Sequence, residues 1–348
     1  MKAAVLQEPG KLKIIECSVP SLQSDWALIK VKAAGICGSD LHFYKGDFPA
    51  GKDAIRGHEI AGTVVNSGCT NFIDGESVIV HPLLGCNNCS ACLKGNNHLC
   101  DNLSAIGGDY PGGFAEYVAV PEKNLYRFDQ RLLSFEHAAL ADCVAVALHA
   151  MKKINIKSQD TVGIIGDGAV GLLLIQLAKI YGAAKIILFG KHDYNLQIGK
   201  ELGATEVYYG RDGYKLVSEE PGFVGFDVLF EAAGGVSPPY KEALFLLKKG
   251  AKLGLLGFTE AQMVEVPWQD IVVGEKSVIG IMGYSREDHQ DELREAISLM
   301  EEGAVQLQSI ITGYLPLSEI DKGFQKMLDK KKSRTIKVII KPNSDPAE

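Results

Sequence analysis

A glycine motif in the middle of the sequence places the strongest constraint on how this chain folds. Gly166-Asp-Gly168-Ala-Val-Gly171 has the spacing G-x-G-x-x-G, follows the apolar run Thr161–Ile165 and opens the helix-periodic segment Ala169–Tyr181. Between a strand and a helix, such glycines allow a tight turn and a close approach of the backbone to a pyrophosphate, which the helix N-terminus attracts. A plain glycine-rich turn is the alternative. The motif predicts a nucleotide contacted by Gly166, Gly168, Ala169, Val170 and Gly171.

The segments after this motif continue the alternation of strand and helix. Helix-periodic stretches lie at Tyr194–Leu202 and near Tyr240–Lys248, and the apolar strand runs are Lys185–Phe189, Phe226–Glu231, Ala251–Leu256 and Ser277–Ile281. This alternation indicates βαβ units and a doubly wound parallel sheet. We therefore expect an α/β protein with a dinucleotide-binding (Rossmann) domain at residues 151–283.

The sequence before residue 150 has a different pattern. Short β-branched runs separated by Gly and Pro indicate a mainly β domain, and they are Trp26–Ala33, Ile60–Val65, Glu76–Val80 and Glu116–Val120. After Tyr284 the pattern predicts a helix, a strand, a second helix and a final strand, with bounds for three of them at Gln290–Glu302, Leu317–Leu328 and Thr335–Ile340. We assign this tail to the first domain, which then comprises residues 1–150 and 284–348. A length of 348 residues fits two domains.

Charge and hydropathy argue against several classes of partner. The net charge is −7, and no apolar run approaches the roughly 18 residues of a membrane span. The one basic run, Lys330–Lys332, is interpreted as a solvated helix end. These features disfavour nucleic acid and membranes and favour a small-molecule substrate. The N-terminal residues lack an apolar signal-peptide stretch, so we expect a cytoplasmic protein.

Four of the eight cysteines lie close together, at Cys86, Cys89, Cys92 and Cys100. Their spacing in a long chain without secretory signals favours a metal site over disulfides. Four thiolates complete a tetrahedral zinc shell and leave no position for a substrate, so this zinc would brace the loop. An iron–sulfur cluster and incidental cysteines are the alternatives.

The residues that follow the second predicted strand of the nucleotide domain bear on cofactor choice. NAD-specific sites place an acidic residue there for the ribose 2′-hydroxyl, but this chain has Gly190, Lys191 and His192. The missing carboxylate and the adjacent cation favour the 2′-phosphate of NADP, with NAD as the weaker alternative. On this interpretation, Gly190→Asp would shift preference toward NAD. Asp193 is either a competing ribose ligand or the N-cap of the next helix.

Two further segments of the sequence carry candidate metal ligands. Cys37 lies in Gly35-Ile-Cys-Gly-Ser-Asp-Leu-His42, and a His-Glu pair lies in Gly57-His-Glu-x2-Gly62-x5-Gly68. Together with the cysteine-rich loop, the glycine motif and Gly112-Gly-Phe-Ala-Glu-Tyr117, they resemble zinc-containing medium-chain dehydrogenases over essentially the whole chain. The resemblance is nearest to sorbitol, other polyol and threonine dehydrogenases. It implies a GroES-like catalytic domain beside the Rossmann domain.

The resemblance also implies which residues hold a catalytic zinc. Cys37 and His58 match zinc ligands, and Glu59 matches the adjacent carboxylate that ligates directly or through water. The remaining ligand departs from the family, because Asp142 stands where polyol dehydrogenases have Glu and Cys143 stands where they have Pro. We favour Asp142, since its carboxylate supplies oxygen to zinc, and Cys143 remains open.

Further roles follow from the same resemblance. Ser39 would contact the substrate oxygen, His42 would pass the proton to solvent, and Asp40 would orient the zinc-binding histidine. Alternatively, Ser39 and Asp40 only cap a helix that begins near Leu41. Candidate pocket residues, equally plausible as core aromatics, are Tyr44, Phe48 and Tyr284.

These interpretations predict a zinc-dependent oxidoreductase. It would transfer hydride between a secondary alcohol (polyol, cyclitol or sugar alcohol) and NADP, giving the ketone. One rival is a zinc alcohol dehydrogenase for simple or aromatic alcohols or threonine. Another is a non-catalytic nucleotide-binding relative, which the retained metal ligands disfavour. The resemblance further implies a homodimer or homotetramer.

Overall fold

A computed structural model describes residues 1–49, 51, 53–68, 71–235, 238–259, 263–287 and 290–343. Its contacts divide the chain into two compact units, one formed by Met1–Ala145 with Tyr284–Glu348 and the other by Val146–Gly283. Each unit has a hydrophobic core of its own. None of the described helices is both long enough and apolar enough to span a membrane.

The first unit begins mainly with strands, as its β-branched runs predict. The strands are β1 (Lys2–Glu8), β2 (Lys11–Glu16), β3 (Trp26–Gly35), β4 (Ala54–Ile55), β5 (Glu59–Ser67), β6 (Ser77–Val80), β7 (Leu83–Leu84), β8 (Ser104–Ala105), β9 (Tyr117–Pro121) and β10 (Leu125–Arg127). The helices of this part are α1 (Gly38–Lys45), α2 (Phe135–Ala138) and α3 (Ala141–Ile154). Strand β3 is central, because it pairs antiparallel with both β5 and β9.

The second unit is the predicted doubly wound sheet. Its strands are β11 (Thr161–Ile165), β12 (Lys185–Gly190), β13 (Glu206–Tyr209), β14 (Phe226–Glu231), β15 (Leu247–Leu255) and β16 (Ser277–Gly280), and its further helices are α4 (Ala169–Ile180), α5 (Asp193–Glu201), α6 (Asp212–Ser218), α7 (Tyr240–Phe245) and α8 (Trp268–Val273). The strands pair in parallel in the order β13-β12-β11-β14-β15-β16. This order reverses between β11 and β14, as in dinucleotide-binding folds.

The sequence pattern predicts most of these elements but does not predict β13, α6 and α8. Strand β13 lies at the edge of the sheet, and its last residue, Tyr209, is exposed. An edge strand buries less side-chain surface than a central one, so its sequence carries a weaker apolar signal. The mixed α/β fold class predicted from the alternation of segments is confirmed.

The chain then returns to the first unit. The returning elements are β17 (Arg286–Glu287), β18 (Gln290–Asp291), α9 (Glu292–Glu301), β19 (Ile311–Pro316), α10 (Ile320–Leu328), α11 (Lys330–Ser333) and β20 (Lys337–Lys341). Strand β20 pairs antiparallel with β3 and parallel with β19, which adds the end of the chain to the central sheet of this unit. The basic run Lys330–Lys332 forms most of the short helix α11.

A buried histidine lies just after β6 in the first unit. His81 is fully buried, and its Nδ1 accepts a hydrogen bond from the backbone N–H of Leu83 at 3.2 Å. Its ring meets the edge of Tyr284 with centroids 4.8 Å apart. Burial, aided by the charge of Arg286, lowers the pKa of His81 to about 3. The folded protein therefore keeps this imidazole neutral at pH values where an exposed histidine is charged.

We predict that His81 makes folding sensitive to mild acid. Between an unfolded pKa of about 6.5 and a folded pKa of about 3, the unfolded chain binds the extra proton. The stability that the neutral His81 contributes is complete above pH 6.5 and is lost as the pH falls toward 3. His81→Asn keeps an acceptor for Leu83. Between pH 6 and 5, the unfolding free energy of this variant should fall less steeply than that of the wild type, and the two slopes should differ by about 1 kcal/mol per pH unit.

Denaturant unfolding at several pH values measures this difference. Tyr126→Phe is the matched control, because it removes a partly buried hydrogen bond to Asp291 without removing a histidine. The control should lower stability yet follow the wild-type slope. Parallel pH curves for wild type and His81→Asn would contradict the prediction.

Candidate active site, metal centres and nucleotide loop

The first cluster is built where strand β3 ends. Cys37 follows this strand and is the N-cap residue of α1. Asp40, in the first turn, accepts a hydrogen bond from the Cys37 backbone N–H at 3.0 Å through Oδ2. Helix α1 begins at Gly38, so the alternative of a helix beginning near Leu41 is wrong. Asp40 does cap the helix, but from inside its first turn.

His58 lies beside Cys37. Residue 57 is a glycine with φ of +92°, and a Cβ there would lie 2.7 Å from the Phe114 ring, so the turn before His58 requires glycine. One ligand atom from each of Cys37, His58 and Glu59 can be chosen so that all lie within 4.8 Å of one another. This separation suits ligands that share one metal ion.

Acidic groups surround the imidazole of His58. Its Nδ1 lies 4.0 Å from Asp40 Oδ1, and its Nε2 lies 4.0 Å from Asp142 Oδ2. Asp40 Oδ1 is buried without a hydrogen-bond partner among the described residues. Burial alone would lower the pKa of His58, but Cys37, Asp40 and Asp142 raise it well above its ordinary value. The cluster therefore favours a positive charge at its centre, and a bound zinc ion would supply that charge.

Glu59 is fully buried and is held by a lysine from the last strand. Lys337 Nζ lies 2.6 and 2.8 Å from its two carboxylate oxygens and also donates to the carbonyl of Ile36 at 3.1 Å. Burial alone would raise the pKa of Glu59, but Lys337 lowers it below its ordinary value. A Cβ on Gly35 would lie 1.9 Å from Glu59 Oε2, so a glycine is required opposite this carboxylate.

The two residues considered for the remaining ligand lie at the start of α3. Asp142 Oδ1 accepts a hydrogen bond from the Tyr284 hydroxyl at 2.9 Å, which leaves Oδ2 facing His58. The Cys143 thiol is buried and donates to Glu59 Oε1 at 3.0 Å. Asp142 thus directs an oxygen toward the cluster, whereas Cys143 bonds to the carboxylate behind it.

Ser39 and His42 lie three residues apart on α1, so their side chains lie near one face of the helix. His42 Nδ1 lies 2.8 Å from Asp47 Oδ2, and its ring lies beside Phe48 at 5.1 Å between centroids. Sequence reasoning missed Asp47. Its only sequence signal is an acidic residue just after a helix that carries the candidate relay histidine.

Two of the candidate pocket aromatics are core residues. Tyr44 is buried, with its hydroxyl 2.8 Å from the Gly10 carbonyl and 2.9 Å from Asp321 Oδ1. Tyr284 is buried and bonds to Asp142. These contacts favour the core alternative for both residues, because both already use their hydroxyls within the protein.

The four clustered cysteines form the second metal-ligand set. Their sulfur atoms all lie within 4.8 Å of one another, with Cys86 and Cys92 at 4.0 Å and Cys89 and Cys100 at 3.9 Å. A tetrahedron with metal–sulfur bonds of about 2.3 Å places its sulfurs about 3.8 Å apart, whereas a disulfide needs about 2 Å. The geometry therefore fits a tetrahedral metal ion.

Backbone groups prepare this loop for thiolates. Cys100 Sγ accepts hydrogen bonds from the backbone N–H groups of Cys86 at 3.2 Å and Asn102 at 3.3 Å. A backbone hydrogen bond at Cys92 lowers the pKa of Cys89 to about 6, whereas burial raises the pKa of Cys92 to about 12. A Cβ on Gly85 would lie 2.8 Å from Cys92 Sγ, so glycine is required where the chain enters the loop.

The glycine motif of the second unit leaves room for a nucleotide. Gly166 has φ of +122°, and a Cβ on Gly171 would lie 1.8 Å from the Gly166 carbonyl oxygen. Gly168, by contrast, has no atom within 4 Å of an added Cβ, so the space above it is open. Ala169 and Val170 begin α4, whose first N–H groups lack partners within the helix. An open glycine at a helix N-terminus fits a pyrophosphate.

The predicted 2′-phosphate residues lie where β12 ends. Gly190 is the last residue of the strand, Lys191 is exposed, and His192 is the N-cap residue of α5. The interpretation of Asp193 as this N-cap is wrong, because the helix already begins at Asp193. Sequence reasoning missed Asp167, whose carboxylate contacts this turn.

The fold and the two donor clusters define a nucleotide-dependent zinc oxidoreductase, and comparison with known proteins agrees. A family model for the alcohol dehydrogenase GroES-like domain matches residues 23–130, and one for zinc-binding dehydrogenases matches residues 169–302. The chain belongs to the zinc-containing medium-chain dehydrogenase family, near its polyol and threonine branch, and is an alcohol/polyol dehydrogenase. The prediction of an enzyme of this family is confirmed.

Individual relatives match along the full chain. Sorbitol dehydrogenase from Bacillus subtilis is 30% identical, over 99% of this chain and 98% of its own length. D-arabitol-phosphate dehydrogenase from Enterococcus avium is 32% identical over the same shares of the two chains. A protein from Sinorhizobium meliloti, assigned as a zinc-binding dehydrogenase and solved with NADP bound, superposes with a TM-score of 0.89 at 31% identity, covering 98% of this chain and 99% of its own.

We predict that Lys337 is essential to the stability of the first unit. Lys337→Met leaves the Glu59 carboxylate buried without its cation, which should lower the unfolding free energy by about 3–5 kcal/mol. Lys341→Met is the matched control on the same strand, because it removes a partly exposed ion pair with Glu136 that should contribute about 1 kcal/mol or less.

Urea unfolding of both variants measures the difference. Adding Glu59→Gln to Lys337→Met should recover part of the loss, because the unpaired charge is then gone. Equal losses in the Lys337 and Lys341 variants would show that the buried pair has no special importance.

Proposed function

We propose that this protein oxidises a secondary alcohol of a polyol, cyclitol or sugar alcohol to the ketone with NADP, and that NAD is a poorer substitute. The observation that carries the proposal is the partly buried cluster of Cys37, His58 and Glu59, which adjoins helix α1 with Ser39 and His42. Relatives named sorbitol and D-arabitol-phosphate dehydrogenase support the polyol class. The relative solved with NADP supports the cofactor.

We assign the catalytic zinc to Cys37, His58, Glu59 and Asp142. When bound, zinc supplies a Lewis acid that makes an alcohol hydroxyl more acidic, and the nicotinamide accepts the hydride. Asp142 is the preferred fourth residue, because Oδ2 faces His58 while the Cys143 thiol bonds to Glu59. The ion pair with Lys337 makes Glu59 a weaker ligand than the others, since its negative charge is already balanced.

Ser39 and His42 would carry the hydroxyl proton toward solvent. In a neutral His42, the Nδ1–H donates to Asp47, so Nε2 is left as the acceptor for a proton. Asp47 would then stabilise the charged imidazolium through the same contact. Asp40 holds the start of α1 through Cys37, so it fixes the position of a ligand rather than touching substrate.

We assign a second, structural zinc to Cys86, Cys89, Cys92 and Cys100. With four sulfurs this ion has no open position, so the loop takes no part in the reaction. For the cofactor, we assign the pyrophosphate to the loop around Gly168 and the 2′-phosphate to the turn at Gly190, Lys191 and His192.

A panel of initial rates tests the proposed substrate class. Polyols, sugar-alcohol phosphates, simple alcohols, threonine and the matching ketones are assayed with NADP(H) and NAD(H) in parallel. We expect NADP-preferring turnover of a polyol or its ketose. Turnover of simple alcohols or threonine alone would replace the substrate class, and turnover with NAD alone would overturn the cofactor assignment.

Ligand variants are the controls for this panel. Cys37→Ala and His58→Ala should lose turnover at least 1,000-fold and one zinc per chain, while NADP binding changes little. Cys89→Ser should also lose one zinc but should mainly reduce thermal stability. Normal turnover in either active-site variant would reject the catalytic zinc assignment. Complete inactivity of zinc-replete wild type that still binds NADP would favour the non-catalytic alternative.

We also propose that the protein is a homo-oligomer that associates through the edge of the second unit's sheet. Strand β16 is an edge strand, and exposed apolar side chains lie on it and on α8, namely Trp268, Val272, Val273 and Val278. An apolar edge of this kind pairs readily with a second copy. Sedimentation should give a dimer or tetramer that Val278→Lys dissociates at least tenfold more readily; a monomeric wild type would contradict this.

A further inference from the structure

An aspartate inside the glycine motif holds the turn that follows the second strand of the nucleotide sheet. Asp167 lies between Gly166 and Gly168, and only 7% of its surface is exposed. Strands β11 and β12 are parallel neighbours, so their carboxyl ends place this loop beside Gly190. In folds of this type, the end of the second strand faces the adenosine ribose of the cofactor.

Asp167 contacts the turn at several points. Its Oδ2 accepts hydrogen bonds from the backbone N–H groups of Lys191 at 2.9 Å and His192 at 2.8 Å. The His192 Nδ1 lies 3.0 Å from both carboxylate oxygens. The backbone carbonyl of Asp167 also accepts a hydrogen bond from the buried Asn195 side chain at 2.8 Å. One residue thereby fixes both the turn and the first part of α5.

The position of Asp167 also explains why Gly190 is a glycine. A Cβ added at Gly190 would lie 2.6 Å from Asp167 Cβ and 2.6 Å from its Oδ2. The aspartate therefore fills the space that a side chain at the end of β12 would need. We therefore expect that Gly190→Asp alone does not shift preference toward NAD, because the new side chain would meet Asp167.

The charge of Asp167 is already balanced within the protein. Burial raises its pKa, but His192 and the two backbone N–H groups lower it below its ordinary value, so the group stays ionised. With its oxygens committed to three donors, the carboxylate is poorly placed to bind a ribose hydroxyl. The Lys191 side chain, by contrast, is exposed on the turn.

We propose that Asp167 is a positioning residue for recognition of the NADP 2′-phosphate: it holds Lys191 and His192 so that their side chains flank the ribose. This inference rests on the proposed preference for NADP. The alternative is that Asp167 itself binds the ribose 2′-hydroxyl, in place of the acidic residue that NAD-specific sites have at the end of the second strand. That view requires removal of Asp167 to strengthen NADP binding, whereas a positioning role requires removal to weaken it.

Binding of two adenosine fragments tests, without any turnover, whether removal of Asp167 weakens or strengthens recognition of the 2′-phosphate. Calorimetry on the zinc-loaded full chain compares 2′,5′-ADP, which carries the 2′-phosphate, with 5′-AMP, which does not. Asp167→Ala should weaken 2′,5′-ADP at least tenfold and 5′-AMP less than threefold, and Asp167→Asn should fall between. Glu201→Gln is the control for an exposed carboxylate at the other end of α5 and should change either affinity less than threefold.

The outcomes separate this inference from the proposed function. A wild type that binds both fragments equally overturns the NADP preference, and the role of Asp167 falls with it. A wild type that prefers 2′,5′-ADP while Asp167→Ala keeps or increases that preference overturns the role of Asp167 alone. Equal weakening of both fragments also overturns it, because it shows general damage to the loop.

The double variant Gly190→Asp/Asp167→Ala tests whether Asp167 fills the space that a side chain at residue 190 would need. With the space cleared, it should favour 5′-AMP over 2′,5′-ADP, whereas Gly190→Asp alone should weaken both fragments without reversing their order. A reversal by Gly190→Asp alone would contradict the account of a filled site. Thermal unfolding confirms that each variant is folded.

Discussion

The candidate active site depends on the buried ion pair between Lys337 and Glu59. The lysine comes from the last strand and the glutamate from the residue after His58, and both side chains are almost fully buried. Two charges lose their hydration there, and only their close contact and the additional bonds to Ile36 and Cys143 offset that cost. The arrangement ties β20 to the end of β3, two residues before Cys37. The last strand must therefore be folded before the candidate ligands are held together, although all of those ligands lie earlier in the sequence.

This dependence explains which parts of the molecule could be predicted from the sequence. Local signals sufficed for the glycine motif and for the clustered cysteines, because each set is continuous in sequence and has a characteristic spacing. The strand Thr161–Ile165 was predicted to the residue for the same reason, since an apolar run between two turns defines its own ends. Lys337 could not be found in this way. Its partner is 278 residues away, and a lysine in a final strand has no pattern that indicates burial.

Aspartates illustrate the same limit at shorter range. Asp40, Asp47 and Asp167 each accept a hydrogen bond within a few residues or across one strand pair, and each fixes a residue of a candidate site. In sequence they look alike: a short acidic side chain near a helix end is usually a cap or a solvated group. Their contacts distinguish them, because Asp40 bonds to the N–H of a candidate metal-ligand cysteine, Asp47 to the candidate relay histidine and Asp167 to the turn after β12. Residue type alone carries none of this information.

The two units also differ in what they require of their sequence. In the candidate nucleotide loop, backbone geometry fixes Gly166 and Gly171 by close approach, while the residue between the first two glycines is free to acquire a new role. In the candidate metal cluster the donors are side chains, and each donor needs a neighbour that holds it. The Asp142-Cys143 pair shows how such a site tolerates change: a shorter carboxylate is held by Tyr284, and the following thiol supports Glu59. A departure from the family pattern at two adjacent positions thus remains compatible with zinc chemistry, because each new side chain has acquired a partner.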